Sequence, residues 1–250
     1  MIRMSQKEPA RRAKGQDARS RTELSEADLE QSSTDVVVNH ITAGVLAGRY
    51  VPGQRLVEAD LTRALRVSRG PVREAFRRLD ALGILSRTMH RGACVRTLSR
   101  TEGIDLLLTT QPLIGLIARL AADEVKAGNG GRDIASLERE LRSYRDRDPE
   151  LSNDPSQRQH FYDILIAIGG NTQLPSVFPT MRIHLLRLQT QSFRDVDDRR
   201  TNVDDFADVA KAVLAGDRKA AEKACLAHNR RMRDAIQQMP HEAFPRINEE

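Results

Sequence analysis

Three arginines in the stretch VSRGPVREAFRRLDALG, Val67 to Gly83, recur at Arg69, Arg73 and Arg77. At about 100° per residue they fall along one stripe of a helix, while Val72, Ala75, Phe76, Leu79 and Leu82 occupy the adjoining apolar arc. Such a stripe offers a row of planar guanidinium forks, each able to grip a phosphate or the edge of a guanine through two parallel hydrogen bonds. A solvated helix face would show the same spacing, so the surroundings must decide. Ser68 suits an N-cap, and Pro71 falls in the first turn, where its missing N–H costs nothing. The free N–H groups of that turn, with the Ser68 hydroxyl, would hold a phosphate.

Those side chains need a frame, and the preceding residues supply one. A first helix is expected from the capping residues Ser33, Thr34 and Asp35, with Val37, His40, Ile41, Val45 and Leu46 at helical spacing up to Gly48. Pro52-Gly53 then marks a turn. A short second helix, LVEADLTRAL, carries Glu58 and Asp60 in its first turn and turns Leu61 and Leu65 inward. Arg66, Val67 and Ser68 form a tight turn, and the arginine-bearing helix runs on to Gly83. ILSRT and ACVRT read as two strands around His90-Arg91-Gly92, a basic hairpin. This order predicts a winged helix-turn-helix, its third helix in a DNA major groove and its hairpin reaching toward the minor groove. The alternative is a structural three-helix unit with arginines on its surface.

The charge distribution favours the first reading. Residues 34 to 100 carry a net charge of +7, residues 101 to 250 a net charge of −3, and residues 1 to 33 a net charge of +1. The 12 basic residues of the middle segment are all arginines, the side chain suited to phosphate and guanine. Cys94 and Cys225 are isolated, which excludes a disulfide framework and a CxxC metal site. The apolar run DLLLTTQPLIGLIARLAADE is broken by Thr, Gln, Pro and Arg, so no membrane partner is expected and the location is expected to be cytoplasmic. The absence of Trp and the wealth of Ala, Leu and Arg point to a mainly α chain.

The run PGQRLVEADLTRALRVSRGPVREAFRRLDALGIL, followed by RGACV, strongly resembles the DNA-binding domain of bacterial GntR-family transcription regulators. The resemblance implies DNA contacts at Ser68, Arg69, Gly70 and Arg73 on the recognition helix and at Arg91 and Gly92 on the wing, with Arg69 and Arg73 reading guanine edges. Gly70 departs from the threonine frequent in the family, which removes one side-chain contact. Arg63 and Arg77 read equally as phosphate contacts and as solvated surface.

Residues 101 to 240 read as about six helices, with breaks at 128–131, 148–149, 169–171, 195–198 and 216–217. Their order, with GGN before a helix and AVLAGDRKAAEKACLAH near the end, looks like the FCD-type effector domain of the FadR subgroup. The implied domains are an arm at 1–32, expected to be disordered, the winged helix-turn-helix at 33–99, the helical effector and dimerisation domain at 100–240, and a tail at 241–250. Many relatives hold a divalent metal there; the matching positions in this chain are Arg158, Tyr162, Phe206 and His228, three of which are not ligands. No metal and no other cofactor is therefore expected. The same four residues become candidates for holding a carboxylate effector, an organic or aromatic acid. Arg158 would pair with the carboxylate, Tyr162 and His228 would donate hydrogen bonds, and Phe206 would form an apolar wall. A surface arginine and a core or rim histidine are the bland readings of Arg158 and His228, and His160 and His184 lie off the motif as structural or solvated residues.

Taken together, these features predict a repressor that binds a palindromic operator as a homodimer and responds to a small molecule. The apolar helix Ile104 to Leu120 serves either that dimer or the interior of its own domain. An architectural DNA binder with little sequence preference would leave about 140 helical residues unused. An enzyme is not expected, because no Gly-rich phosphate loop, HExxH, GxSxG or paired Cys motif is present.

Overall fold

The apolar arc of the arginine-bearing helix is buried, as its spacing requires. A computed structural model of the chain describes residues 26–88, 92–146 and 155–244. Its N-terminal unit runs α1 (Glu26–Leu46), β1 (Arg55–Leu56), α2 (Glu58–Leu65), α3 (Arg69–Ala81), β2 (Leu85–Thr88) and β3 (Gly92–Val95). Val72, Ala75, Phe76 and Leu79 of α3 lie against Val37, Ile41 and Val45 of α1 in one apolar core. Leu82 departs from the expected arc: the helix has ended by then, and the side chain is 55% exposed.

The three strands form an antiparallel sheet in the order β1-β3-β2, with Leu85 opposite Val95 and Leu56 opposite Ala93. The hairpin was legible in the sequence, but β1 was not, because two residues are too short to show alternation. Arg66 closes the α2–α3 turn with φ of 54°, a left-handed conformation held between two packed helices. At the other end, α1 begins at Glu26, so Ser33, Thr34 and Asp35 lie inside it rather than capping it. Asp35 instead pairs with Arg78 of α3 at 2.7 Å. The remainder of the expected arm, residues 1–25, lies outside the described residues.

The C-terminal unit is built around α4 (Arg100–Lys126), which packs on α10 (Arg218–Gln238), α6 (Pro155–Gly169), α9 (Val196–Leu214) and α8 (Thr180–Thr190). Two further helices, α5 (Gly131–Asp146) and the short α7 (Leu174–Val177), complete it. There are thus seven α-helices among the described residues rather than about six, because Phe178-Pro179 introduces a break between α7 and α8. Ser99 and Glu102 form a reciprocal capping box that fixes the start of α4. Gly169 sits where a Cβ would stand 3.0 Å from the Leu120 side chain, so the α4–α6 approach depends on its lacking one.

Helix α4 is the one helix among the described residues long and apolar enough to cross a membrane. Its apolar side is spent on its own domain: Leu106, Leu107, Ile114 and Ile117 are buried, and Leu108, 46% exposed, is the exception. The domain also extends past residue 240, since Ala243 and Phe244 are buried and Arg100 lies over the Phe244 ring.

The two units share one apolar core. Leu106 and Leu107 of α4, Leu185 and Leu186 of α8 and Ile236 of α10 join the cluster formed by α1 and α3. Polar clamps flank it. The Gln189 side chain both accepts from and donates to the Leu98 backbone at 2.8 Å, and His184 Nε2 donates to the Val45 carbonyl at the end of α1 at 3.1 Å.

Candidate functional site

Two regions carry the side chains singled out by the sequence, and they differ in how those side chains are held. On α3, Ser68, Arg69, Gly70, Arg73 and Arg77 are all exposed on the face opposite the core. Ser68 stands at the N-cap, but its hydroxyl makes no cap bond, which leaves both it and the first-turn N–H groups for an outside acceptor. Arg69 has no ion-pair partner among the described residues. Arg73 is drawn to Glu58 of α2, its Nε donating to Oε2 at 3.0 Å. Arg77 pairs with Glu74 at 2.6 Å and Arg63 with Asp60 at 3.6 Å. These exposed pairs contribute at most about 1 kcal/mol each, so exchanging carboxylate for phosphate is cheap. Gly92 opens β3 at the wing, while His90 and Arg91 lie outside the described residues.

The second region is a partly open cavity of about 50 Å³ between α4, α6, α8, α9 and α10. Arg158, Tyr162, Phe206 and His228 all line it, so the structure brings together four residues that are far apart in the sequence. Five of the chain's nine aromatic rings, those of Tyr144, Phe161, Tyr162, Phe178 and Phe206, contact one another here. The Arg158 guanidinium lies over the Phe206 ring, 5.4 Å from its centroid, and no carboxylate among the described residues answers it. Burial, then the nearby Arg194 guanidinium, lowers its pKa to about 10, against the opposite pull of Tyr144 and Tyr162. Burial likewise pushes the Tyr162 phenol above its ordinary value, keeping it a neutral O–H.

His228 departs from its expected role. Its Nδ1 lies 2.9 Å from Asp205 Oδ2, and Asp205 also binds Arg231. A carboxylate held by an arginine can only accept, so Nδ1 carries the proton. Burial, followed by Arg158, Arg194 and Arg187, holds the His228 pKa down to about 3, so the ring is neutral. Its other nitrogen is therefore an acceptor, not the donor expected toward a ligand. Asp205 itself went unnoticed in the sequence, where nothing marks one aspartate of DVDDRRTNVDDF as buried. Of the two readings of His184, structural and solvated, the structural one holds: it is buried, lines the cavity and reaches α1. His160 is exposed, as expected.

Two imidazoles, His184 with its Nε2 committed to the Val45 carbonyl and His228 with its Nδ1 committed to Asp205, beside a guanidinium, a phenol and a benzene ring do not make a donor set for a divalent cation, and Arg158 would oppose one by charge. The arrangement suits an anion instead.

Comparison with known proteins agrees with this architecture. A profile described as bacterial regulatory proteins, gntR family, matches residues 33–95, and an FCD domain profile matches residues 109–231. The chain belongs to the GntR family. It is therefore a DNA-binding transcription regulator with an effector domain of the FCD type, and this member is mainly α, as expected. It is 26% identical over 197 residues to the "Probable D-xylose utilization operon transcriptional repressor" of Paenarthrobacter nicotinovorans, covering 77% of this chain and 83% of that one. It is 29% identical over 191 residues to the Nta operon transcriptional regulator of Aminobacter aminovorans, covering 75% and 86%. Among solved structures, E. coli McbR/YncC shares the fold with a TM-score of 0.67 at 17% identity, over 82% of this chain and 97% of that one.

Proposed function

We propose that this GntR regulator is a cytoplasmic repressor that binds a palindromic operator as a homodimer and leaves it when a small organic acid enters the FCD cavity. Arg69 and Arg73 read guanine edges, Ser68 and the start of α3 hold phosphate beside Gly70, Arg63 and Arg77 add backbone contacts, and Arg91 and Gly92 form the wing. A single winged helix touches few base pairs, so a two-fold pair supplies the missing specificity. The name of the Paenarthrobacter relative supports repression.

The observation that carries the effector assignment is Arg158, a cation lodged against Phe206 in a cavity that offers it no carboxylate. A buried charge without a partner is costly, and an anionic ligand removes that cost. A cavity of about 50 Å³ has room for about three to five waters, which fits a short acid better than an acyl thioester. The path to DNA is short: α8 carries Leu186 and Arg187 of the cavity wall and, through His184 and Gln189, holds α1 and the Leu98 linker. An effector acts by preferring the arrangement of these clamps that does not fit the operator.

Fluorescence anisotropy on the DNA upstream of the gene, at about 0.15 M salt, tests the reading. The expected result is a preference of about 10³ or more over scrambled DNA, reversed by one of a panel of short organic acids. Equal binding to both DNAs would establish the architectural alternative.

A further inference from the structure

The cavity contains acceptors as well as cations. His228 commits its Nδ1 proton to Asp205, and Nε2 is left with no partner among the described residues. Asn229, next in sequence and also lining the cavity, is 3% exposed, and its Oδ1 has no hydrogen bond. A buried acceptor left unmade costs about 1–3 kcal/mol; Asn229 Oδ1 is one, and it and His228 line the same cavity as Arg158. A plain carboxylate satisfies the guanidinium and leaves both acceptors empty.

We propose that the effector is a hydroxy acid, whose hydroxyl donates to His228 Nε2 while its carboxylate pairs with Arg158. The assignment rests on the carboxylate reading of the cavity and narrows it. An amino acid would also bring a donor, but Arg158, Arg187 and Arg194 surround the site with positive charge and disfavour an ammonium group. Asp205 is then a positioning residue: it touches no ligand, and by fixing the His228 tautomer it selects the hydroxylated acid over its deoxy counterpart. Arg231, paired with Asp205 from the solvent side, keeps that carboxylate ionised.

The test uses matched probes on the full-length protein, lactate against propionate and glycolate against acetate, followed by calorimetry. The hydroxylated member of a pair is expected to bind about tenfold more tightly. In His228→Leu that ratio falls to about one, and in Arg158→Met neither member binds. Equal affinities within both pairs, with binding still lost in Arg158→Met, would overturn the hydroxyl requirement and leave the carboxylate reading standing. Undiminished binding in Arg158→Met, or no binding of any probe to the wild type, would overturn both. A second measurement needs no ligand: ¹⁵N chemical shifts of labelled histidine should show His228 protonated at Nδ1 and bare at Nε2. Asp205→Asn should abolish that single tautomer. A wild-type ring protonated at Nε2 would defeat the proposal whatever the affinities.

Discussion

Arginine does opposite work in the two regions of this molecule. On α3 it is exposed, and where it has a partner the partner is a nearby surface carboxylate, as with Arg73 and Glu58 or Arg77 and Glu74. In the cavity Arg158 is packed on an aromatic ring with no acidic partner among the described residues, and burial pulls its pKa down to about 10. A surface cation is cheap to keep and earns its specificity only when DNA arrives. A half-buried unpaired cation costs stability in every molecule, occupied or not. Periodicity reveals the first kind; only packing reveals the second.

The largest expected effect breaks the exposed side of the comparison. Arg69→Ala combined with Arg73→Ala removes two candidate bidentate guanine contacts, each worth about 1–3 kcal/mol of discrimination. Operator preference should fall by a factor of about 10³, read as the ratio of operator to scrambled-DNA affinity at fixed salt. The melting temperature should stay within a few degrees of wild type, since neither side chain is buried. Loss of binding to both DNAs in equal proportion would mean that the arginines hold phosphate and read nothing.

The buried side responds in the opposite sense. Arg158→Met keeps the length of the side chain and removes its charge. Lowering the pKa from 12.5 to about 10 corresponds to roughly 3 kcal/mol of disfavoured charge at neutral pH. The variant should therefore be more stable than wild type by about 1–3 kcal/mol in urea denaturation, while no longer responding to acids. A loss of stability would show that Arg158 has a structural partner and would remove the reason for placing an anion beside it.

How much of this could be read from the sequence follows the same division. The α3 stripe, the Gly83 stop, the hairpin and most breaks of the helical domain follow from local spacing and turn chemistry, and all are seen. Ser33, Thr34 and Asp35 satisfy a capping pattern, yet α1 runs through them from Glu26. Arg158, Tyr162, Phe206 and His228 were gathered into one site only by family resemblance, since nothing local joins them. Asp205 is not marked in the sequence at all, and His184 reads there only as structural or solvated. Their roles come from burial and from contacts across α9–α10 and α8–α1, and a string of residues does not record such contacts.

The smallest effect is a dependence on pH that belongs to the cavity alone. His228 is held neutral, first by burial and then by Arg158, Arg194 and Arg187, with its pKa lowered from 6.5 to about 3. Below pH 6.5 the unfolded chain takes up a proton that the folded chain refuses. Stability is therefore lost as pH falls through that window, and the loss is complete near the folded pKa. Asp205 does not reverse the sign, because Arg231 already balances its charge. Between about pH 7.5 and pH 5 the histidine should cost the wild type about 2 kcal/mol. His228→Gln removes the titration and keeps a side chain that can hydrogen bond, so the carboxylates common to both proteins cancel in the difference between their denaturation midpoints. A wild type that loses stability faster than the variant over this range confirms a neutral ring. Parallel curves would mean that the folded protein accepts the proton, with Asp205 and the imidazolium forming an ion pair, and the cavity would then present a donor rather than an acceptor to its ligand.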